Sequence, residues 1–276
     1  IILATDPDCD RVGVAVKDRE GDYILLNGNQ IGALLCKYIL SNERNTDKNT
    51  AIIKTIVTSD LGERIAESFG ASVFNTLTGF KFIGEKIKEF EESKLYKFLF
   101  GYEESYGYLA GTFVRDKDAV IASMLIIEMA QSYKNKGLNL LEAIEELYKE
   151  YGYYLDYLET YTLEGVEGGL KITKVVEEFR RINNLIRTFN DIKILEDYKL
   201  QKRYFIESYE DEEIDLPVSN VIKLYFRDGS WIAVRPSGTE PKLKVYYSAK
   251  GATKEEGEKR LEELLGKVKS YLAFIL

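Results

Sequence analysis

Short apolar runs alternate with segments of helical periodicity through the first half of the chain. Three runs predict strands: "AIIKTIVTS" (51–59), "ASVFNT" (71–76) and "KFLFGYEES" (97–105), the last of which runs into a loop. The first is a continuous apolar run of the kind that is buried in a parallel sheet. Helical patterns precede or follow them at "IGALLCKYIL" (31–40), 60–69, "FIGEKIKEFEES" (82–93), 118–135 and from Leu140. This alternation predicts crossover units and a doubly wound α/β domain over residues 27–150.

The first 26 residues have a different pattern. An apolar run leads into an acidic loop, a strand follows from Val12 to Val16, and a turn at Glu20–Asp22 precedes a strand that ends at Leu26. We interpret this segment as the edge of a sheet. Because the sequence starts in the middle of a strand and without methionine, we expect it to be a fragment of a longer chain.

An aromatic extended stretch, Tyr151–Thr162, marks a change of character and a predicted domain boundary. A long amphipathic helix is predicted over 169–186. Strands are predicted at 202–208, at 220–227 and on both sides of a hairpin turn at Asp228–Gly229, and a charged helix from Thr253. Residues 151–276 are therefore predicted to form a small α+β domain.

Composition narrows the class of protein. The chain has 276 residues, 45% hydrophobic, and 46 acidic against 38 basic side chains, a formal net charge of -8. This balance argues against nucleic acid or an anionic membrane as the main partner. Two cysteines outside any CxxC pair, and the lack of a signal-peptide or membrane-span pattern, predict a soluble cytoplasmic protein.

The acidic loop "DPDCDR" carries the first candidate chemistry. Asp6, Asp8 and Asp10 lie at alternate positions, with Arg11 beside them. In an extended loop alternate side chains point the same way, so the three carboxylates are predicted to converge on one hard cation, Mg²⁺. An EF-hand is excluded because Arg11 and Lys17 stand where it needs glycine and glutamate. A haloacid-dehalogenase phosphatase also places a DxD after a strand, but this sequence has no convincing "DGT"-like continuation. A solvated acidic turn is the alternative interpretation.

The stretch "RPSGTEPK" (235–242) at the end of a predicted strand is an anion cradle. Arg235 offers a planar fork for a phosphate, and Ser237, Gly238 and Thr239 offer hydroxyls and backbone N–H groups. An ordinary turn is the alternative interpretation.

A second polar loop, "GYEESYG" (101–107), follows a predicted strand directly. Glu103, Glu104 and Ser105 suit a polyhydroxylated ligand, because carboxylates accept hydrogen bonds from neighbouring hydroxyls. Two further stretches, "TLTGFKF" and "VRDKDA", place Lys81 and Lys117 beside turn residues, where either could be a simply exposed lysine.

Taken in order, these five motifs resemble the α-D-phosphohexomutase family of phosphoglucomutases and phosphomannomutases. The resemblance implies that residues 1–26 end the family's second domain with its metal loop. It implies that 27–150 are the third domain, a doubly wound mixed sheet with the sugar loop. Residues 151–276 would be the fourth domain, α+β and similar to the TATA-binding protein, with the phosphate loop.

The implied activity is a Mg²⁺-dependent mutase, an isomerase of carbohydrate metabolism that interconverts hexose 1-phosphate and 6-phosphate, with glucose as the expected sugar. The family works through a phosphoserine and a bisphosphate, here glucose 1,6-bisphosphate as intermediate and activator. The serine loop is missing from this sequence, so we expect the chain to be inactive alone and to need the preceding domains of the same protein.

The resemblance also assigns roles. Asp6, Asp8 and Asp10 would bind the metal, and Arg11 and Lys117 would act in catalysis, Lys117 as an aid to proton movement that needs a depressed pKa to be a base. The substrate would be bound by the remaining residues of the motifs: Thr78, Glu103, Ser105, Arg235, Ser237, Gly238 and Thr239.

Two alternatives remain open at this point. A phosphopentomutase has a similar sugar loop, and ring size cannot be read from five motifs. A non-catalytic phosphosugar-binding protein would need the cradle but not the metal. The spelling of the sugar loop disfavours a glucosamine phosphate substrate.

Overall fold

The computed structural model describes residues 1–163, 165–237 and 241–275, with the backbone alone at position 166. Its contacts divide the chain into two units, Ile1–Gly152 and Tyr153–Leu276. Residues 1–26 belong to the first unit. Their assignment to an earlier domain of the family stays a prediction.

The described residues of the first unit form seven strands and five helices. In chain order the elements are β1 (Ile2–Thr5), β2 (Val12–Lys17), β3 (Tyr23–Leu26), α1 (Gly28–Asn42), β4 (Thr50–Thr55), α2 (Leu61–Ser68), β5 (Ser72–Thr76), α3 (Phe80–Ser93), β6 (Lys97–Tyr102), β7 (Tyr108–Ala110), α4 (Ala119–Asn135) and α5 (Leu140–Tyr151).

A four-stranded mixed sheet lies at the centre of this unit, in the order β5-β4-β6-β7. Strand β4 runs parallel to β5 and β6, and β7 is antiparallel to β6. All six residues of β4 are buried, as expected for a strand inside a parallel sheet. Helix α3 packs on one face through Ile83 and Ile87, while α1 and α2 approach Tyr102 on the other. The predicted mixed α/β fold is confirmed.

The predicted sheet edge at residues 1–26 is a three-stranded antiparallel sheet of its own, in the order β1-β2-β3. The predicted strand 51–59 ends early, at Thr55. There Thr58 N–H donates to Thr55 O at 3.0 Å, and this turn takes Ile56–Ser59 out of the sheet.

The second unit is one antiparallel sheet covered by helices. Its elements are β8 (Tyr153–Thr162), α6 (Gly165–Phe179), α7 (Ile182–Thr188), β9 (Ile192–Asp197), β10 (Lys202–Phe205), β11 (Asp211–Glu213), β12 (Ile222–Phe226), β13 (Trp231–Pro236), β14 (Lys242–Gly251) and α8 (Lys254–Ile275). The sheet order is β11-β10-β9-β12-β13-β14-β8. Phe179, Phe189 and Tyr271 from the helices meet Leu224 and Val245 of the sheet in the core.

The prediction of one helix over 169–186 is wrong, since α6 and α7 are separate helices. The amides of Arg180 and Arg181 bond to carbonyls three residues back, which tightens and ends α6. The Arg180 guanidinium then pairs with the buried Asp197 of β9, a strand that the sequence pattern did not predict. The predicted hairpin at Asp228–Gly229 is confirmed, with Gly229 at φ 87°.

Within the described ranges, no helix is both long enough and apolar enough to cross a membrane.

Candidate active site

The acidic loop between β1 and β2 is a tight turn rather than the extended segment that alternate spacing predicted. Cys9 adopts a left-handed conformation, φ 58°, which reverses the chain. Asp6 N–H donates to Arg11 O at 3.2 Å, and Arg11 N–H donates to Asp6 Oδ1 at 3.0 Å. Closure of the turn, not strand alternation, is therefore what brings the aspartates together.

The three carboxylates converge as predicted. One oxygen from each of Asp6, Asp8 and Asp10 lies within 4.8 Å of the others. Oxygen ligands of this charge are those that Mg²⁺ and Ca²⁺ prefer, so the donor set fits a hard divalent cation.

Two protein cations lie against this acidic cluster. Arg11 Nε is 3.0 Å from Asp6 Oδ2 and 3.4 Å from Asp10 Oδ1. Lys117 Nζ is 2.8 Å from Asp10 Oδ2. The hydrogen bond from the Arg11 backbone N–H holds the pKa of Asp6 below its usual value. The two cations thus partly offset the repulsion between the carboxylates.

The sugar-loop candidate, residues 101–107, is joined directly to the acidic loop. Arg11 and Gly107 form an antiparallel bridge, and Val12 N–H donates to Tyr106 O at 3.2 Å. Within the loop, Glu103 N–H donates to Gly107 O at 2.9 Å. These backbone bonds fix two sequence-distant motifs against each other.

Glu103 is buried and connects the loop to a third motif. Its Oε1 accepts a hydrogen bond from Gly79 N–H at 3.0 Å, which places the half-buried Thr78 next to the loop. Burial and the neighbouring charge of Glu104 raise the pKa of Glu103 above its usual value. The structure therefore brings Thr78, Glu103 and the half-buried Ser105 to one region of the first unit.

Lys117 packs against the sugar loop as well as the acidic loop. A side chain at Gly107 would place its Cβ 2.6 Å from Lys117 Cδ, so a larger residue there would require the lysine side chain to move. Burial works against the charge, but the hydrogen bond to Asp10 and the charge of Asp116 raise the pKa of Lys117 above its usual value. This direction is opposite to the depression that a lysine base needs, and it makes Lys117 a proton-bearing cation. Lys81, in contrast, is exposed and lies over the Phe82 ring.

The phosphate-loop candidate lies in the second unit. Arg235 is half-buried and pairs in register with Lys244 across β13 and β14. Ser237 N–H donates to Lys242 O at 2.7 Å, so Ser237 offers its hydroxyl rather than its N–H to an anion. Gly238 and Thr239 lie outside the described residues.

Sequence reasoning missed two residues that the structure places at this site. Thr55 and Thr58 are fully buried at the end of β4, and both hydroxyls lie within hydrogen-bond distance of Glu104 Oε2, at 3.3 and 3.4 Å. In the sequence they look like ordinary members of an apolar strand. Their position at the carboxyl end of a predicted parallel strand could have indicated them, because ligands of α/β sheets bind at that end.

Comparison with known proteins gives matches over most of the chain. The family model for the phosphoglucomutase/phosphomannomutase alpha/beta/alpha domain III matches residues 27–151, and the model for the C-terminal domain of the same family matches 171–266. The phosphoglucomutase of Staphylococcus haemolyticus is 42% identical over 250 residues, which are 90% of this chain and 44% of that protein. The phosphoglucomutase of Staphylococcus aureus strain MRSA252 is 40% identical over 252 residues, 91% of this chain and 45% of that protein.

A solved structure shares the fold. The open form of the exocytosis-sensitive phosphoprotein parafusin, a phosphoglucomutase from Paramecium, superposes with a TM-score of 0.71 at 19% identity, covering 99% of this chain and 45% of that one. The chain thus spans less than half the length of these relatives. Since two models of successive domains match most of its residues in order, the chain belongs to the phosphoglucomutase/phosphomannomutase family.

Proposed function

We propose that this chain carries the metal, sugar and phosphate loops of a phosphohexomutase that interconverts hexose 1-phosphate and hexose 6-phosphate, with glucose as the sugar. The observation that carries the proposal is the convergence of Asp6, Asp8 and Asp10 in a turn whose backbone is bonded to the sugar loop. The names of the Staphylococcus relatives support glucose as the substrate.

The acidic loop would hold Mg²⁺ through Asp6, Asp8 and Asp10, and the ion would supply positive charge to a phosphoryl group in transfer. Arg11 stabilises negative charge that develops beside the loop. Lys117 would add positive charge beside the acidic loop, because it lies 2.8 Å from Asp10 and its pKa is raised rather than depressed.

Sugar and phosphate groups are assigned to different loops. Glu103 accepts hydrogen bonds from sugar hydroxyls, and Thr78 and Ser105 add hydroxyl partners. The phosphate that does not react is assigned to Arg235, Ser237, Gly238 and Thr239, because a guanidinium beside hydroxyl and amide groups suits a phosphate.

The proposal places the phosphoserine on another domain of the enzyme. Glucose 1,6-bisphosphate would form there and turn end for end, so that each phosphate in turn meets the phosphate loop. This chain alone is then expected to bind a phosphosugar without converting it.

Calorimetric titration of the chain tests the proposal. We expect saturable binding of Mg²⁺ and, separately, of glucose 1-phosphate, with weaker binding of ribose 1-phosphate. Tighter binding of ribose 1-phosphate would favour a phosphopentomutase, and absence of binding of both sugars would overturn the assignment of the loops. If the full-length enzyme keeps its turnover with Asp8→Asn, metal binding by the acidic loop is not required for the reaction.

A further inference from the structure

The two adjacent carboxylates of the sugar loop have different partners. Glu103 Oε1 accepts from Gly79 N–H at 3.0 Å, at the end of the loop that carries Thr78. Glu104 Oε2 instead lies 3.3 Å from Thr55 Oγ1 and 3.4 Å from Thr58 Oγ1. The turn that follows β6 at Tyr102 thus directs the two carboxylates to different partners.

The hydroxyl pair beneath Glu104 cannot touch a ligand, since Thr55 and Thr58 are both 0% exposed. Their hydroxyl oxygens are 2.7 Å apart. Because each hydroxyl has one proton, one threonine donates to the other and the second donates to Glu104. A buried chain of three groups therefore ends on this carboxylate.

The turn that carries Thr58 is itself firmly held. The buried Lys54 Nζ donates to Thr58 O at 3.3 Å and pairs with Asp60 Oδ1 at 2.8 Å. Ser59 N–H donates to the side chain of Asn29 at 3.1 Å. Glu104 is thus bonded to a fixed platform at the carboxyl end of β4.

The backbone of Glu104 is also closely packed from the side of α1. A Cβ on Gly28 would lie 2.0 Å from Glu104 O and 2.9 Å from Tyr106 N, so only glycine allows this approach. The loop is therefore confined by its own backbone bonds, by the first residue of α1 and by the threonine pair.

We infer that Glu104 is a positioning residue: it fixes the sugar loop on the end of β4 through Thr55 and Thr58, and leaves Glu103 to meet the sugar. The ligand in this inference rests on the proposed function. The anchoring of the loop does not, and it can be measured without any ligand.

The test compares Glu104→Ala, Glu104→Gln and the double variant Thr55→Val/Thr58→Val. Valine keeps the volume of threonine and removes the hydroxyl. Thr76→Val is the matched control, because Thr76 is a buried threonine at the same edge of the sheet whose hydroxyl faces the Lys54 and Leu77 carbonyls. Hydrogen exchange is read at the amides of Glu103 and Val12, which donate within and onto the sugar loop.

If Glu104 positions the loop, the valine pair and Glu104→Ala each speed exchange at these amides by at least about tenfold and weaken glucose 1-phosphate binding by a similar factor. Combining them adds little more, because both remove the same anchor. Glu104→Gln, which keeps an acceptor oxygen, restores most of the protection. The control changes neither readout.

A loss of affinity in Glu104→Ala with normal affinity and exchange in the valine pair would overturn the inference and make Glu104 a direct sugar ligand. Wild-type exchange in every variant would overturn it too. If the parent chain binds no glucose 1-phosphate, the proposed function fails. The hydrogen-exchange rates still show whether Glu104 anchors the sugar loop on Thr55 and Thr58.

Discussion

Lys117 Nζ lies 2.8 Å from Asp10 Oδ2, and this ion pair connects the acidic turn to the segment that precedes α4. The Lys117 side chain is mostly buried, with 17% of it exposed, and it also packs on Gly107 of the sugar loop. One lysine therefore contacts both the acidic loop and the sugar loop. In this arrangement it competes with a divalent cation for Asp10.

That competition predicts the effect of Lys117→Met on the metal. Removing the cation leaves Asp10 without its partner, so Mg²⁺ affinity should rise about fivefold, the effect of about 1 kcal/mol for a partly exposed pair. Calorimetric titration with Mg²⁺ measures it. Lys81→Met, at an exposed lysine of the neighbouring motif, is the control and should change nothing. A lower affinity in Lys117→Met would mean that Lys117 supports the metal site.

Asp8→Asn should have the opposite effect. The exchange removes one of three converging carboxylates, and we expect Mg²⁺ affinity to fall by at least about tenfold. Asp22→Asn, at an exposed aspartate in the turn between β2 and β3, removes the same charge and is expected to bind Mg²⁺ normally. Equal losses in the two variants would point to a general charge effect in place of ligation.

Arg235→Ala should weaken binding of glucose 1-phosphate by about 2 kcal/mol or more, the scale of a lost charge-assisted hydrogen bond. The matched control in the same unit is Arg187→Ala, an exposed arginine on α7. Calorimetry compares the two. Unchanged affinity in Arg235→Ala would show that this loop does not bind the phosphate of the ligand.

Glu103→Gln should stabilise the protein at neutral pH. Burial and Glu104 raise the pKa of Glu103, so the folded state binds its proton more tightly than the unfolded state does. The stabilisation is complete below the unfolded pKa of about 4.3 and is lost as the pH rises through the folded pKa. Glutamine is uncharged and keeps an oxygen for Gly79 N–H. We therefore expect its free energy of unfolding to exceed that of the parent by about 1 kcal/mol at pH 7 and to equal it below about pH 4.

Urea unfolding at the two pH values checks this, and Glu43→Gln is a control of opposite sign. The hydrogen bond from Lys97 lowers the pKa of Glu43, so its charge contributes stability above the unfolded pKa that is lost as the pH falls. Glu43→Gln should therefore be less stable than the parent at pH 7. If Glu103→Gln is less stable than the parent at pH 7, the ionised Glu103 carboxylate is stabilised by its partners in the folded state, and the prediction is wrong.

Gly62→Ala should destabilise the first unit by about 2 kcal/mol, because its Cβ would lie 2.0 Å from the hydroxyl oxygen of the buried Tyr102 ring. In a Tyr102→Phe background the cost of the same substitution should shrink, since the nearest atom is then the ring carbon at 3.0 Å. Gly266→Ala in α8 meets nothing within 4 Å and should stabilise by about 0.5–1 kcal/mol. Urea unfolding of the four variants measures the coupling, and an unchanged cost would show that the ring moves aside.

The strands and helices of the first unit were largely predictable, because a strand buried on both faces and an amphipathic helix each leave a local pattern. The pattern could not show that Thr55 ends β4, since that depends on the turn at Thr58. It could not separate α6 from α7 either, because the break depends on Arg180 meeting Asp197, a partner on a strand with no clear alternation of its own.

The sequence by itself determined the fold class, the residue types of each loop and the resemblance to a family, because these depend on local periodicity and on motifs that are contiguous in the chain. Only the tertiary structure decided what each loop contacts. The bridge between Arg11 and Gly107, the pairing of Lys117 with Asp10 and the different partners of Glu103 and Glu104 all join residues far apart in the chain. Such contacts form between loops of separate elements that only the fold brings together, and no spacing within a single motif encodes them.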